Sequence, residues 1–237
     1  MRGILAVVIL ILVGSSLMGE EKDLNKAQDL RYITAKAHYT QGVNYATHGM
    51  YEEALSELKK AVELDPRFAE AHFELGKAYT NMENPGEAIP EFKKVLEINP
   101  HYQDAHYQLG LAYYDKGMVD ESLSLCEAYV KERPQDGKMH SLVGVLYIKK
   151  GRVEEATSEF KKQIELDYHP EQGYINLGMA LAMKDSIDEA IEAYKKALEL
   201  NPKNPKAHYH LGSAYHKKGL LAEAEKEMAI YRELMGK

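Results

Sequence analysis

The chain has 237 residues, 45% of them apolar, which is enough to bury a core and too apolar for wholesale disorder. Its formal charge of −7 and isoelectric point near 5.8 exclude a surface built to neutralise nucleic-acid phosphates, so no nucleic-acid partner is expected and any charged site must be local. The single cysteine, Cys126, rules out an internal disulfide, while 17 tyrosines against no tryptophan call for an explanation by position.

The amino end carries Arg2, the apolar run Ile4 to Val13, and then Gly14-Ser15-Ser16-Leu17-Met18-Gly19. The run is about half the roughly 20 residues that a membrane-spanning helix needs, and small residues follow it. Residues 1–19 therefore read as a signal peptide, or as an amino-terminal anchor if they are not cleaved; that anchor is the one membrane attachment expected. The acidic flank Glu20-Glu21-Lys22-Asp23 opposes Arg2 and places the bulk of the chain outside, in the periplasm or the extracellular space. No cysteine ends the run, so a bacterial lipoprotein is excluded. Residues 20–34 read as a charged, helical lead-in or cap.

From Ala35 a period of 34 residues runs to the carboxyl end, marked by Pro66, Pro100, Pro134 and Pro202, with Tyr168 in the remaining place. Counting Ala35 as the first place, the eighth is Gly42, Gly76, Gly110, Gly144, Gly178 and Gly212. The eleventh is Tyr45, Tyr79, Tyr113, Tyr147, Leu181 and Tyr215, and the twentieth Ala54, Ala88, Ser122, Ala156, Ala190 and Ala224. The twenty-fourth is Leu58, Phe92, Cys126, Phe160, Tyr194 and Met228. Six units result, residues 35–68, 69–102, 103–136, 137–170, 171–204 and 205–237.

Places four, seven, eight and eleven share one side of a helix, and places seventeen, twenty, twenty-four and twenty-seven share one side of a second. Each unit is thus a helical hairpin, and the array should hold twelve helices and no strand. The place-eight glycine lets the two backbones approach, with the small residue of place twenty expected opposite it. Gly49, Gly117, Gly151 and Gly219 separate the two helices, and the late proline ends the second. Gly137 reads as exposed, so a bulky replacement there should matter less than at Gly144. No hairpin buries its apolar side alone, so the units must stack; Glu225 and Arg232 give the last unit the polar outer side that an end requires.

These residues, recurring in phase, resemble the tetratricopeptide-repeat family over everything except the export signal and the lead-in. The resemblance implies an all-α, right-handed superhelical solenoid of six helix-turn-helix repeats.

His38, His72, His106, His140 and His208 all occupy place four of separate units, so they read as packing residues of the hairpin and not as a metal site. Cys126 at place twenty-four reads as a buried apolar thiol. No phosphate-cradling loop, zinc-protease helix or calcium loop is present in the sequence. No catalytic residue, cofactor or metal is expected, and the chain does not read as an enzyme.

The opposite side of each first helix, at places two, five, nine, twelve and thirteen, should be polar in a simple hairpin. It carries Tyr39 and Val43, Phe73, Tyr107 with Leu111 and Tyr114, Val145 with Ile148, Ile175 with Met179 and Met183, and Tyr209. The resemblance implies that this side lines a concave, peptide-binding groove; alternatively, some of these residues touch the neighbouring repeat. Repeats one to three place Lys36 and Lys77 there against Glu70, Glu74, Asp104 and Asp115, whereas repeats four to six place Lys138, Lys149, Lys206 and Lys217 without an acid. The expected partner is a protein or peptide segment that is apolar and bears acidic residues or a free carboxyl terminus. The family's clamp for acidic chaperone tails, Lys at place five with Asn at place nine of one repeat, is not supplied by Tyr39 and Val43 or by Phe73 and Lys77.

The expected function is that of an exported protein–protein interaction scaffold that assembles an envelope complex. Tyr168-His169-Pro170, followed by Tyr174-Ile175-Asn176-Leu177-Gly178, is similar to the six-repeat proteins that help assemble the type IV pilus secretin, which makes a pilus assembly factor an alternative. A signal-anchored adaptor facing the cytoplasm is another.

Overall fold

The computed structural model describes residues 28–236, so the signal or anchor segment 1–19 and the first part of the lead-in lie outside the described residues. Within them the chain forms twelve helices and no strand. The first helix, α1, runs through residues 28–47, so residues 28–34 of the lead-in continue directly into the first repeat. There follow α2 (Tyr51–Leu64), α3 (Ala69–Asn81), α4 (Pro85–Ile98), α5 (Gln103–Asp115) and α6 (Val119–Glu132). The rest are α7 (Gly137–Lys149), α8 (Val153–Glu165), α9 (Pro170–Met183), α10 (Ile187–Leu200), α11 (Pro205–Lys218) and α12 (Leu221–Leu234). Consecutive odd and even helices pair in the phase of the sequence period, α1 beginning ahead of the first repeat and α9 at Pro170, the last residue of the fourth.

The chain divides into two compact units, one reaching to Ala105 and the other starting at His106, with the boundary inside α5. In the amino-terminal unit α3 packs against α4 and α2, burying Leu58, Leu75, Phe92 and Val95. In the carboxyl-terminal unit α7 packs on α8, α9 on α10 and α11 on α12, each pair also meeting the next. One continuous core there holds Leu142, Leu146, Phe160, Leu181, Tyr194 and Leu211.

The repeated glycine faces place twenty as its spacing suggests, the carbonyl oxygens of Ala54 and Ala224 lying 3.3 Å from a Cβ on Gly42 and Gly212, but its nearest neighbour is the place-twenty-four side chain. A Cβ on Gly76 would meet the Phe92 ring at 2.6 Å, and one on Gly178 would meet the Tyr194 ring at 2.5 Å. The large side chain of place twenty-four therefore fills the space that the missing Cβ leaves, while the small residue of place twenty is buried beside it. Gly137 also departs from expectation: it is buried, and a Cβ there would meet Tyr168 Cβ at 2.5 Å. Tyr168, standing where other repeats have proline, covers it.

The turn inside each hairpin is left-handed at place fifteen in all six repeats. Gly49, Gly117, Gly151 and Gly219 hold φ of 75°, 81°, 73° and 83°, while Glu83 and Asp185 hold 54° and 64° in the other two. The spacing rule survives without glycine because the helix–helix contact fixes the turn, at the cost of strain in a non-glycine residue.

The place-four histidines pack as expected, with an addition. His38, His72 and His208 donate through Nδ1 to Glu57, Glu91 and Glu227 at 2.6 Å, and His140 donates likewise to Glu159. On the other ring nitrogen, the carbonyls of Pro66, Pro134 and Pro202 accept from His72, His140 and His208 at 3.3, 3.0 and 3.0 Å. Between two acceptors the His140 ring satisfies both only as the imidazolium. Burial pulls the His140 pKa down, but the bonds to Glu159 and Pro134 outweigh it and hold the ring above its ordinary value. The same ion pair, with Lys162, outweighs the burial of Glu159 and holds its carboxyl below the usual range. Repeats three and five have Leu125 and Ala193 in place of the glutamate; there His106 packs on the Tyr129 ring, 4.9 Å between centroids, and Tyr174 replaces the histidine.

Candidate functional site

In the carboxyl-terminal unit, the residues expected on the open side of the first helices separate by depth. Tyr107, Leu111, Tyr114, Val145 and Ile148 are half-buried and lean on the core. Ile175 is only 1% exposed and packs with Ala197 and Ala207, so it supports this face from beneath and offers no surface to a partner. The exposed apolar groups are Met179 (39%), Met183 (55%) and Tyr209 (44%), carried by α9 and α11, which touch. Flexible thioethers on one helix and an aromatic ring on the helix that touches it supply adaptable apolar contact surface.

The cations of this unit are not equivalent. Lys149 and Lys206 are exposed, whereas the Lys138 ammonium lies 3.9 Å from the Tyr107 ring centroid, and Lys217 is 2.7 Å from Asp185. Lys206 also acts on His210: burial first, and the ammonium second, hold that ring's pKa below its ordinary value. Neutral His210 stacks on Tyr194 at 5.6 Å and meets the edge of Tyr209 at 5.4 Å, while Tyr231 of α12 backs Tyr209 at 5.4 Å. The exposed ring is thereby held in place by two others.

In the amino-terminal unit Tyr39 and Val43 are half-buried, and Lys77 bonds Glu74 at 2.9 Å. Phe73 is 8% exposed, so it contributes a ring edge and not a floor. Phe68 and Tyr102, which lie outside the expected places, pack against Tyr39 and Phe73 with centroids 4.9 Å apart in both cases. Both stand at place thirty-four, just ahead of the next first helix; aromatics at that place in repeats one and two were the available signal.

Larger clefts lie elsewhere. One of about 560 Å³ is walled by α6, α7 and α8 and includes Glu127, His140, Tyr147 and Glu159. Its polar groups already satisfy one another, Tyr147 donating to Glu127 at 2.7 Å and His140 to Glu159, which marks it as a structural seam. Another, about 620 Å³, adjoins the turn from Tyr168 to Gln172. Cys126 is fully buried, and burial pushes its thiol up to about 12, so it is no nucleophile at neutral pH. Among the described residues no three His, Cys, Asp or Glu side chains group as metal ligands, and no helix is long and apolar enough to cross a membrane.

Comparison with known proteins follows the same phase. A family model described as TPR repeat matches residues 42–82 and 178–219, and two described as tetratricopeptide repeat match 82–146 and 138–169. Among solved structures, PilF of Pseudomonas aeruginosa shares 18% identity at a TM-score of 0.71, over 86% of this chain and 93% of that one. A tetratricopeptide-repeat protein of Parabacteroides merdae shares 16% at 0.74, over 83% and 78%. YrrB, described as having an unusual peptide-binding site, shares 25% at 0.61, over 72% and 88%. No curated protein sequence matches the chain.

Proposed function

The chain belongs to the tetratricopeptide-repeat family, whose fold is that of a protein–protein interaction scaffold, and we propose that it docks a partner segment on the open side of α9 and α11. The observation that carries this is the exposure of Met179, Met183 and Tyr209 next to Lys206. Packing does not account for large apolar groups left in water on touching helices. The peptide-binding site named for YrrB is in keeping with a groove of this kind. Lys149 and Lys206 suit a segment that is apolar and carries acidic residues or a carboxyl terminus. Such a module, exported through residues 1–19, would serve the assembly of an envelope complex outside the cytoplasm. The likeness to PilF extends to the fold, and a role in pilus assembly has no further support in these residues.

Affinity purification from the native host, with the wild type and a Met179→Asp/Met183→Asp variant side by side, tests the reading. A protein that is retained by the wild type and lost by the variant, whose circular dichroism is unchanged, supports it. Equal retention by both would place the contact elsewhere. A periplasmic reporter fused after Lys237 tests export: activity supports it, and silence in an expressed fusion favours the cytoplasm-facing adaptor.

A further inference from the structure

Five aromatic rings gather on the amino-terminal unit. Tyr39 of α1 packs on Phe68 at 4.9 Å, and the half-exposed Tyr32 reaches the same ring at 6.3 Å. Phe73 of α3 meets Tyr102 at 4.9 Å. On α3, Glu70, Phe73, Glu74 and Lys77 fall at i, i+3, i+4 and i+7, a single stripe. The stripe's carboxylates reach both tyrosines: burial first, then Glu74 and Glu70, hold the Tyr39 hydroxyl above its usual pKa, and burial, Glu70 and Glu74 do the same for Tyr102. Lys77 shows what the combination attracts, since its ammonium stands 5.5 Å from the Phe73 centroid and 2.9 Å from Glu74.

We propose that this face docks a basic segment of a partner protein, with a lysine or arginine side chain seated against Tyr39 and Tyr102 beside Glu70. Charge complementarity selects that occupant. Ring faces attract cations, Glu74 already holds Lys77, and Glu70 is an exposed carboxylate one turn away on the same stripe. An acidic segment would meet like charge at this face. The inference rests on the reading of the chain as a protein-binding module, and it assigns to this unit a segment of opposite charge to the one proposed for α9 and α11.

The test titrates a fluorescein-labelled peptide of alternating lysine and leucine, and its glutamate-for-lysine counterpart, into the full chain and follows anisotropy. The lysine peptide should bind and the glutamate peptide should not compete for this face. Glu70→Gln should weaken lysine-peptide binding about threefold, and Tyr39→Leu with Tyr102→Leu about tenfold. Glu192→Gln, an exposed acid on α10, should leave it unchanged. Equal losses for Glu70→Gln and Glu192→Gln would mean diffuse attraction to an acidic protein and would overturn the proposal, as would wild-type affinity in Glu70→Gln. Should the tyrosine pair disturb the fold by circular dichroism, the exposed Glu70→Lys decides, with near-complete loss expected and retained binding fatal. A null result here, with the native partner still lost by Met179→Asp/Met183→Asp, removes the basic-segment inference and leaves the interaction reading standing.

Discussion

Replacing Gly144 by alanine sets two well-known effects against each other. In a helix interior the change is worth about 1 kcal/mol in favour of alanine. At this place, however, the new Cβ would stand 2.7 and 2.9 Å from Cδ1 and Cζ of Phe160, well inside ordinary carbon contact. Phe160 is 2% exposed and held within the carboxyl-terminal core, so its ring has nowhere to swing, and overpacking of this sort costs about 1–3 kcal/mol. With the ring so confined the upper part of that range applies, and the net expectation is a loss of about 1–2 kcal/mol. Gly86→Ala is the control, because the nearest atom to its Cβ is Asn84 Oδ1 at 3.6 Å; it should gain about 0.5–1 kcal/mol. Urea unfolding followed by far-ultraviolet circular dichroism reads both as midpoint shifts of opposite sign at unchanged slope. Combining Gly144→Ala with Phe160→Leu should cost less than the two single losses added together. A Gly144→Ala midpoint that rises with that of Gly86→Ala would refute the packing argument.

Stability should also depend on pH through His140. Its folded pKa is raised, so its contribution is fully present below the unfolded value of about 6.5 and is lost as pH rises through the folded value. The gap in unfolding free energy between the wild type and His140→Gln should therefore be widest just below pH 6.5 and shrink on the alkaline side; a gap that is flat from pH 5 to 9 would contradict the imidazolium assignment. Glu83→Gly should stabilise by about 0.5–1 kcal/mol because glycine relieves a left-handed turn, read as a higher urea midpoint, and a lower midpoint would show that Glu83 does more than form the turn. Lys149→Glu with Lys206→Glu should slow association with the native partner several-fold and flatten its salt dependence, measured by stopped-flow fluorescence at two ionic strengths; an unchanged rate constant would remove charge from the account of recognition.

The hairpins were legible because the period recurs in phase: glycine at place eight in all six repeats, with tyrosine at place eleven and a large apolar residue at place twenty-four in five each, admits one register. Two things were not. Depth on the open side of the first helices is set by the next hairpin, so Ile175 and Met179, one turn apart on α9, looked alike in the sequence although the first is sealed by Ala197 and Ala207 and the second is in water. Gly137 looked exposed because its cover, Tyr168, stands at a late place that is proline in repeats one, two, three and five. The histidine–glutamate pairs were within reach of the sequence, since glutamate follows the place-four histidine by nineteen residues in repeats one, two, four and six. They were overlooked because the two residues lie on different helices and each alone reads as ordinary.

The most direct test of the central claim puts a photo-crosslinking amino acid at Met183, which is exposed on the α9 and α11 face, and in a second variant at Lys161, which is exposed on α8. The account predicts that irradiation in the native host joins one protein to position 183 and not to position 161, and that Met179→Asp abolishes the adduct. An adduct formed equally from both positions, or from position 161 alone, would contradict it.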